Sequence, residues 1–413
     1  MLGITIFLAV AWMTYAFCRY GAASFPFLYT ASCLFYLVLL PLIVGEVDLI
    51  TGTYARPTGV YYSSVIVFCM FYMFGFRITA PLAFTRLPIQ HPPPRLRELA
   101  GRIVIWALYV VSGALISYSI LSRNIFKADG SFLFTIVGFD ILLVCYLVGR
   151  KDRGASANIA LFLVQTLLFL YAGFRYRLAI LFLAELMNLQ GRGFRPFRAA
   201  VAVGVASVLG LGLGALGQVR SYGSFSVLDL GNLGFAPLEF LKRSGEQTVA
   251  FATINVVEGV DRLQLVGLEP VLVLVTQFIP AAIYPDKPRT TYLGSYLIVT
   301  EGLQGTGAAF HDLGQAVLMY GLYGLPFSAA LLGGIAGVFF QNTLKRSPNA
   351  YYSCAAVVLY AVLIPTRGYL AQQITWALTF LVPLLALDLS RQVFGHGISR
   401  SERRTDRYWY GRR

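Results

Sequence analysis

The sequence predicts an all-α integral membrane protein of about 11 transmembrane helices, and three observations predict it: the overall apolarity, the length of the apolar runs, and the rhythm of the cations between them. Of 413 residues, 57% are hydrophobic and only 13% charged, where soluble domains run nearer one half and one quarter. The mean hydropathy is +0.68. Such a chain has too little charge to cover a surface in water. Its net charge of +14 would suit a nucleic-acid binder in another context. In a polytopic chain the excess belongs to cytoplasmic loops, where Lys and Arg set topology, so no nucleic acid is expected.

A span needs roughly 20 apolar residues to cross about 30 Å of hydrocarbon. Such runs lie at 1–18, 25–45, 60–82, 102–122, 131–149, 157–173, 176–190, 199–219, 315–340, 351–366 and 369–389. The first lacks a basic leader and is followed directly by a second apolar run, so it reads as a span and not as a signal peptide.

Cations then orient the set. Arg86, Arg95, Arg97 and Arg102 follow the third run, and Arg150, Lys151 and Arg153 the fifth. Arg192, Arg195 and Arg198 follow the seventh, Lys345 and Arg346 the ninth, and the tail carries Arg391, Arg400, Arg403, Arg404, Arg407, Arg412 and Arg413. Every second connection is basic, which places the C-terminus inside and the N-terminus outside. Were 268–284 also to cross, this alternation would fail. Its Pro270, Pro280 and Pro285 agree with a re-entrant or interfacial stretch within one long external segment. The organisation read from sequence is therefore an N-terminal bundle of about eight spans over 1–219, a periplasmic segment over 220–314, C-terminal membrane helices over 315–390, and a basic cytoplasmic tail over 391–413.

Metal chemistry is not expected. The five cysteines sit singly in apolar runs, and His91, His311 and His396 are far apart in the chain. The informative residues are cations on the wrong side. Arg175 and Arg177 lie in the tight connection Gly173-Phe174-Arg175-Tyr176-Arg177, Arg220, Lys287 and Arg289 in the long external segment, and Arg367 between the last two spans. Any one of these could pair with a carboxylate or snorkel to headgroups. Converging on one face, they fit an anionic ligand, since the guanidinium fork matches phosphate. His311 beside Asp312 could supply a general base, or be an interfacial histidine satisfied by water. Asp140, alone inside the fifth run, reads as a structural acid bonded across helices.

Three places resemble the bacterial O-antigen polymerase family, Wzy, the oligosaccharide repeat unit polymerases. They are Gly173-Phe174-Arg175 ahead of a basic loop, Ile279-Pro280 followed by Lys287-Pro288, and Gly314-Gln315 running through Gly321 and Gly324. Gln315 stands where the family pattern has Glu. The resemblance implies a GT-C-like fold in the bacterial inner membrane with its active site facing the periplasm. It implies a glycosyltransferase that needs no metal or nucleotide sugar and joins undecaprenyl-diphosphate-linked oligosaccharides, with a chain-length regulator as a possible partner. In that frame His311, Arg289 and Arg175 are the expected catalytic residues, and Arg220, Arg367, Arg177 and Lys287 the expected substrate contacts. An O-antigen ligase acting on lipid A-core, and a lipid-linked glycan transporter or flippase, are the alternatives.

Overall fold

The structure, a computed structural model, describes residues 1–20, 25–44, 57–81, 99–121, 131–149, 153–171, 246–276, 283–286 and 311–346, with isolated positions at 177–178, 180–181, 279, 373–374, 378, 380 and 383. Among these residues regular structure is helical, without a strand. Among the described residues three helices are long and apolar enough to cross a membrane: Leu2–Tyr20, Phe25–Leu42 and Gly59–Thr79. This agrees with an all-α membrane protein. The expected spans at 176–190, 199–219, 351–366 and 369–389 lie almost entirely outside the described residues.

The chain packs as two compact units, Met1–Pro88 with Leu186–Asn342 and Leu359–Trp376, and Ile89–Glu185 with Thr343–Val358 and Ala377–Arg413. These units do not follow the sequence divisions at 219/220 and 314/315, which were drawn from topology and not from packing.

In the first unit, α1 (Leu2–Tyr20) packs on α2 (Phe25–Leu34) and on α4 (Gly59–Thr79). α2 runs through a π-helical turn, Phe35–Leu39, into α3 (Leu40–Val44). A π turn disturbs the regular carbonyl ladder, and the Tyr61 hydroxyl donates to the Leu37 carbonyl there at 3.1 Å. α2 and α4 join through an aromatic ladder. Phe25 stacks on Phe76 with centroids 3.9 Å apart, and Tyr29 on Tyr72 at 4.6 Å. Positions 25 and 29 against 76 and 72 are four apart on each helix and run in opposite order, so the helices are antiparallel. Each such pair adds roughly 0.5–1.5 kcal/mol beyond its buried area.

On its other side α4 meets α11 (Leu325–Arg346), and there the backbones touch. A Cβ on Gly75 would collide with the Ala330 carbonyl, one on Gly333 with the Tyr72 carbonyl, and one on Gly337 with Thr79 Oγ1. Gly333 and Gly337 form the small-residue spacing that lets membrane helices approach closely.

Among the described residues this unit also holds three shorter helices: α8 (Glu246–Glu258), α9 (Glu269–Thr276) and α10 (Asp312–Tyr320). α9 has eight residues and α10 nine, so each is only about 12–14 Å long and cannot span alone. Of the stretch 268–284, α9 covers 269–276, and 277–278 and 280–282 lie outside the described residues. The expected span at 315–340 is corrected: the run is broken into α10 and α11. The cause is local. Gly321 ends α10 at φ 70, and Gly324 closes the four-residue turn. Burial of α10 requires its last carbonyls to be met. The Gly321 N–H donates to Val317 at 2.7 Å, Val266 N–H to Leu318 at 2.9 Å, and Gly267 N–H to Met319 at 3.0 Å.

The second unit holds α5 (Leu99–Leu121), α6 (Ser131–Gly149) and α7 (Ala155–Tyr171), with α6 packed against both neighbours. Arg153 ties the three: it donates to the Tyr109 hydroxyl at 3.1 Å, the Tyr146 carbonyl at 2.6 Å and Asn158 Oδ1 at 3.1 Å.

Candidate functional site

α10 begins halfway along the bundle. His311, the residue ahead of it, lies against Phe68 in the middle of α4 and within 3.8 Å of Cys33 in the middle of the second long helix. The other end of the α10–α11 turn, at Leu322 and Leu325, shares a cavity of about 770 Å³ with Met1, Thr58 and Gly59 at the start of α4. α10 therefore enters from one end of the first unit and stops near its middle. α8 packs alongside it, with Glu258 held at that same end by Thr58, whose backbone N–H and hydroxyl both donate to its carboxylate at 2.8 and 2.7 Å. A carboxylate there also complements the positive end of α4.

Polar groups gather where α10 starts. His311 is fully buried and caps the helix: its Nδ1 accepts from the Leu313 N–H at 3.0 Å. Its own N–H donates to Thr253 Oγ1 at 2.9 Å, and that hydroxyl donates to the Val249 carbonyl of α8 at 2.6 Å. An Nδ1 that accepts carries no proton, so the ring is neutral with its hydrogen on Nε2, facing Cys33 Sγ. Asp312 follows, 1% exposed, and Gln373 Nε2 donates to its Oδ1 at 3.2 Å. Gln315, one turn on, is also buried.

This geometry changes the reading of His311. A base that activates an acceptor hydroxyl needs an open lone pair within reach of it. Here the Nδ1 lone pair is used, Nε2 carries the hydrogen, and the ring is enclosed; the activating role gives way to capping. Asn, Asp, Ser and Thr are the usual caps, so His311 beside Asp312 looked like a proton-transfer pair. The clue was its place, one residue ahead of an apolar run.

In the second unit Arg177 meets Asp140: Nε donates to Oδ1 at 2.5 Å, with the acid fully buried and the arginine side chain 12% exposed. The guanidinium also lies over the Phe380 ring at 5.8 Å. Asp140 is thus bonded across helices, and the charge of Arg177, expected to help bind substrate, is matched within the protein. Arg175, Arg220, Lys287, Arg289 and Arg367 lie outside the described residues. Among the described residues no cluster of three or more His, Cys, Asp or Glu side chains could hold a metal ion. Sequence reasoning missed Gly333, Gly337, Thr253 and Gln373, whose roles depend on partners distant in the chain.

Compared with known proteins, the chain matches no family model, no curated protein and no solved structure.

Proposed function

We propose that this protein is a membrane glycosyltransferase that polymerises undecaprenyl-diphosphate-linked oligosaccharide repeat units at the outer face of the bacterial inner membrane. The observation that supports it best is α10, a half-depth helix that brings a polar, capped start into an apolar bundle from one end only. The turn after it, Gly321 to Gly324, is the third element of the resemblance. A chain that re-enters from the outer face lets a lipid-borne substrate approach sideways while its headgroup stays at the surface.

In the proposed reaction an acceptor sugar hydroxyl attacks the anomeric carbon of the donor. The new glycosidic bond forms as the bond from carbon to the diphosphate oxygen breaks; its electron pair leaves with the lipid diphosphate, and the acceptor hydroxyl's proton passes to solvent water. Fixed cations would stabilise that charge. We assign this to Arg289 and Arg175, with Arg220, Arg367 and Lys287 holding the donor. Arg177 is left out because Asp140 matches it, and His311 is assigned to capping α10.

A half-helix that starts inside the bundle is also a feature of transporters, which keeps a lipid-linked glycan flippase as the second reading. One assay separates them. Purified protein receives a defined undecaprenyl-diphosphate oligosaccharide, and the products are resolved by size. A ladder spaced by one repeat is expected, without nucleotide sugar. Transfer to added lipid A-core without a ladder would make it a ligase, and movement of intact substrate across vesicles without a new bond would make it a flippase. Arg289→Ala and Arg175→Ala should each lower elongation by about 10²-fold, the scale for losing one fixed donor to a developing charge.

A further inference from the structure

We infer that the start of α10 is a binding site for a small monovalent cation, of which sodium is the natural probe. The inference stands apart from the proposed reaction and concerns four side chains of the first unit: Tyr29 on α2, Tyr72 on α4, Asp312 on α10, and Gln373.

Each is nine-tenths or more buried, and each keeps a side-chain oxygen without a hydrogen bond: the Tyr29 and Tyr72 hydroxyls, Asp312 Oδ2 and Gln373 Oε1. Buried polar atoms are nearly always satisfied, so four orphans in one neighbourhood call for a guest. They share that neighbourhood. The Tyr29 and Tyr72 rings stack almost parallel, 4.6 Å apart, and His311, next to Asp312, lies 3.8 Å from Cys33, one turn from Tyr29, and against Phe68, one turn from Tyr72. Gln373 bonds Asp312 directly, and in doing so turns its amide nitrogen to Oδ1 and leaves its oxygen over.

The atoms select the guest. All four are oxygens, the ligands of hard cations; none is sulfur or imidazole nitrogen. The charge selects its valence. Asp312 makes no ion pair among the described residues, and the adjacent His311 is neutral, because its Nδ1 accepts a backbone hydrogen. With Asp312 ionised, the site carries one formal negative charge. A monovalent cation cancels it, whereas a divalent one would leave a net positive charge in an apolar bundle. Such an ion would tie α2, α4 and α10 to Gln373 at mid-depth, adding to the Gln373–Asp312 hydrogen bond.

The test uses the purified full chain in detergent, melted in sodium, lithium or choline chloride at equal ionic strength and alkaline pH. A saturable rise in Tm with sodium, absent with choline, is expected, since a ligand bound only by the folded state stabilises it by mass action. Asp312→Asn should melt at the same temperature in sodium and choline. Tyr29→Phe with Tyr72→Phe, which keeps the rings stacked, should weaken the apparent sodium affinity on the order of tenfold. No sodium effect on the wild type would overturn the inference, as would an effect reproduced by choline or retained in Asp312→Asn. A Tm that follows pH alone, indifferent to sodium, would make the guest a proton and overturn it equally. None of these outcomes bears on whether the chain elongates glycans.

Discussion

A cation inside an apolar bundle is costly until an acid meets it, and Arg177 with Asp140 is such a pair. Removing one partner strands the other. Asp140→Ala should destabilise the protein by about 3 kcal/mol, and Asp140→Ala with Arg177→Met should recover most of that, read by thermal melting in detergent. If the double variant melted as low as the single one, the pair would not be the source of the loss. His311 makes a different kind of prediction, because its contact is a cap. His311→Ala should cost about 1 kcal/mol, while His311→Asn, which can still accept from the Leu313 N–H, should keep both stability and elongation. A folded His311→Asn variant that no longer elongates would return the residue to chemistry. Both residues were visible in the sequence as polar groups in the wrong surroundings. Their partners were not: Asp140 is 37 positions from Arg177, and Thr253 is 58 from His311.

Helices were the most legible level. The run at 131–149 coincides with α6, and those at 60–82, 102–122 and 157–173 differ from α4, α5 and α7 by up to three residues at an end. Hydropathy reports burial in an apolar medium, and a full span has a length that it can recognise. It cannot recognise a half span. The run at 315–340 is continuously apolar, yet it contains a helix end, a turn and a helix start, all set by the backbone at Gly321 and Gly324. Helix contacts were equally hidden, because Gly333 and Gly337 differ from other membrane glycines only in what faces them. Gly333→Leu should force α11 off the Tyr72 carbonyl and cost about 1–3 kcal/mol. Gly334→Ala, whose nearest neighbour would be Thr79 Cγ2 at 3.9 Å, should be close to neutral in the same melting experiment.

At the scale of the molecule, the membrane class follows from composition alone, and the helices bear it out. The expected site is legible only as a pattern of cations, since arginine side chains declare their charge but not their partners. Of the residues named for it, Arg177 and His311 have structural roles, and the diphosphate reading rests on Arg175, Arg220, Lys287, Arg289 and Arg367. That reading requires the end of the first unit where α10 meets α11 to face away from the cytoplasm, the side on which the proposed joining of lipid-linked repeat units takes place. Tyr323, in the turn between the two helices, is fully exposed and marks that end. The decisive measurement is labelling of Tyr323→Cys in intact spheroplasts with a membrane-impermeant maleimide, against the wild type as background. The account predicts strong labelling before permeabilisation; labelling that occurs only after the membrane is opened would place this end inside and contradict it.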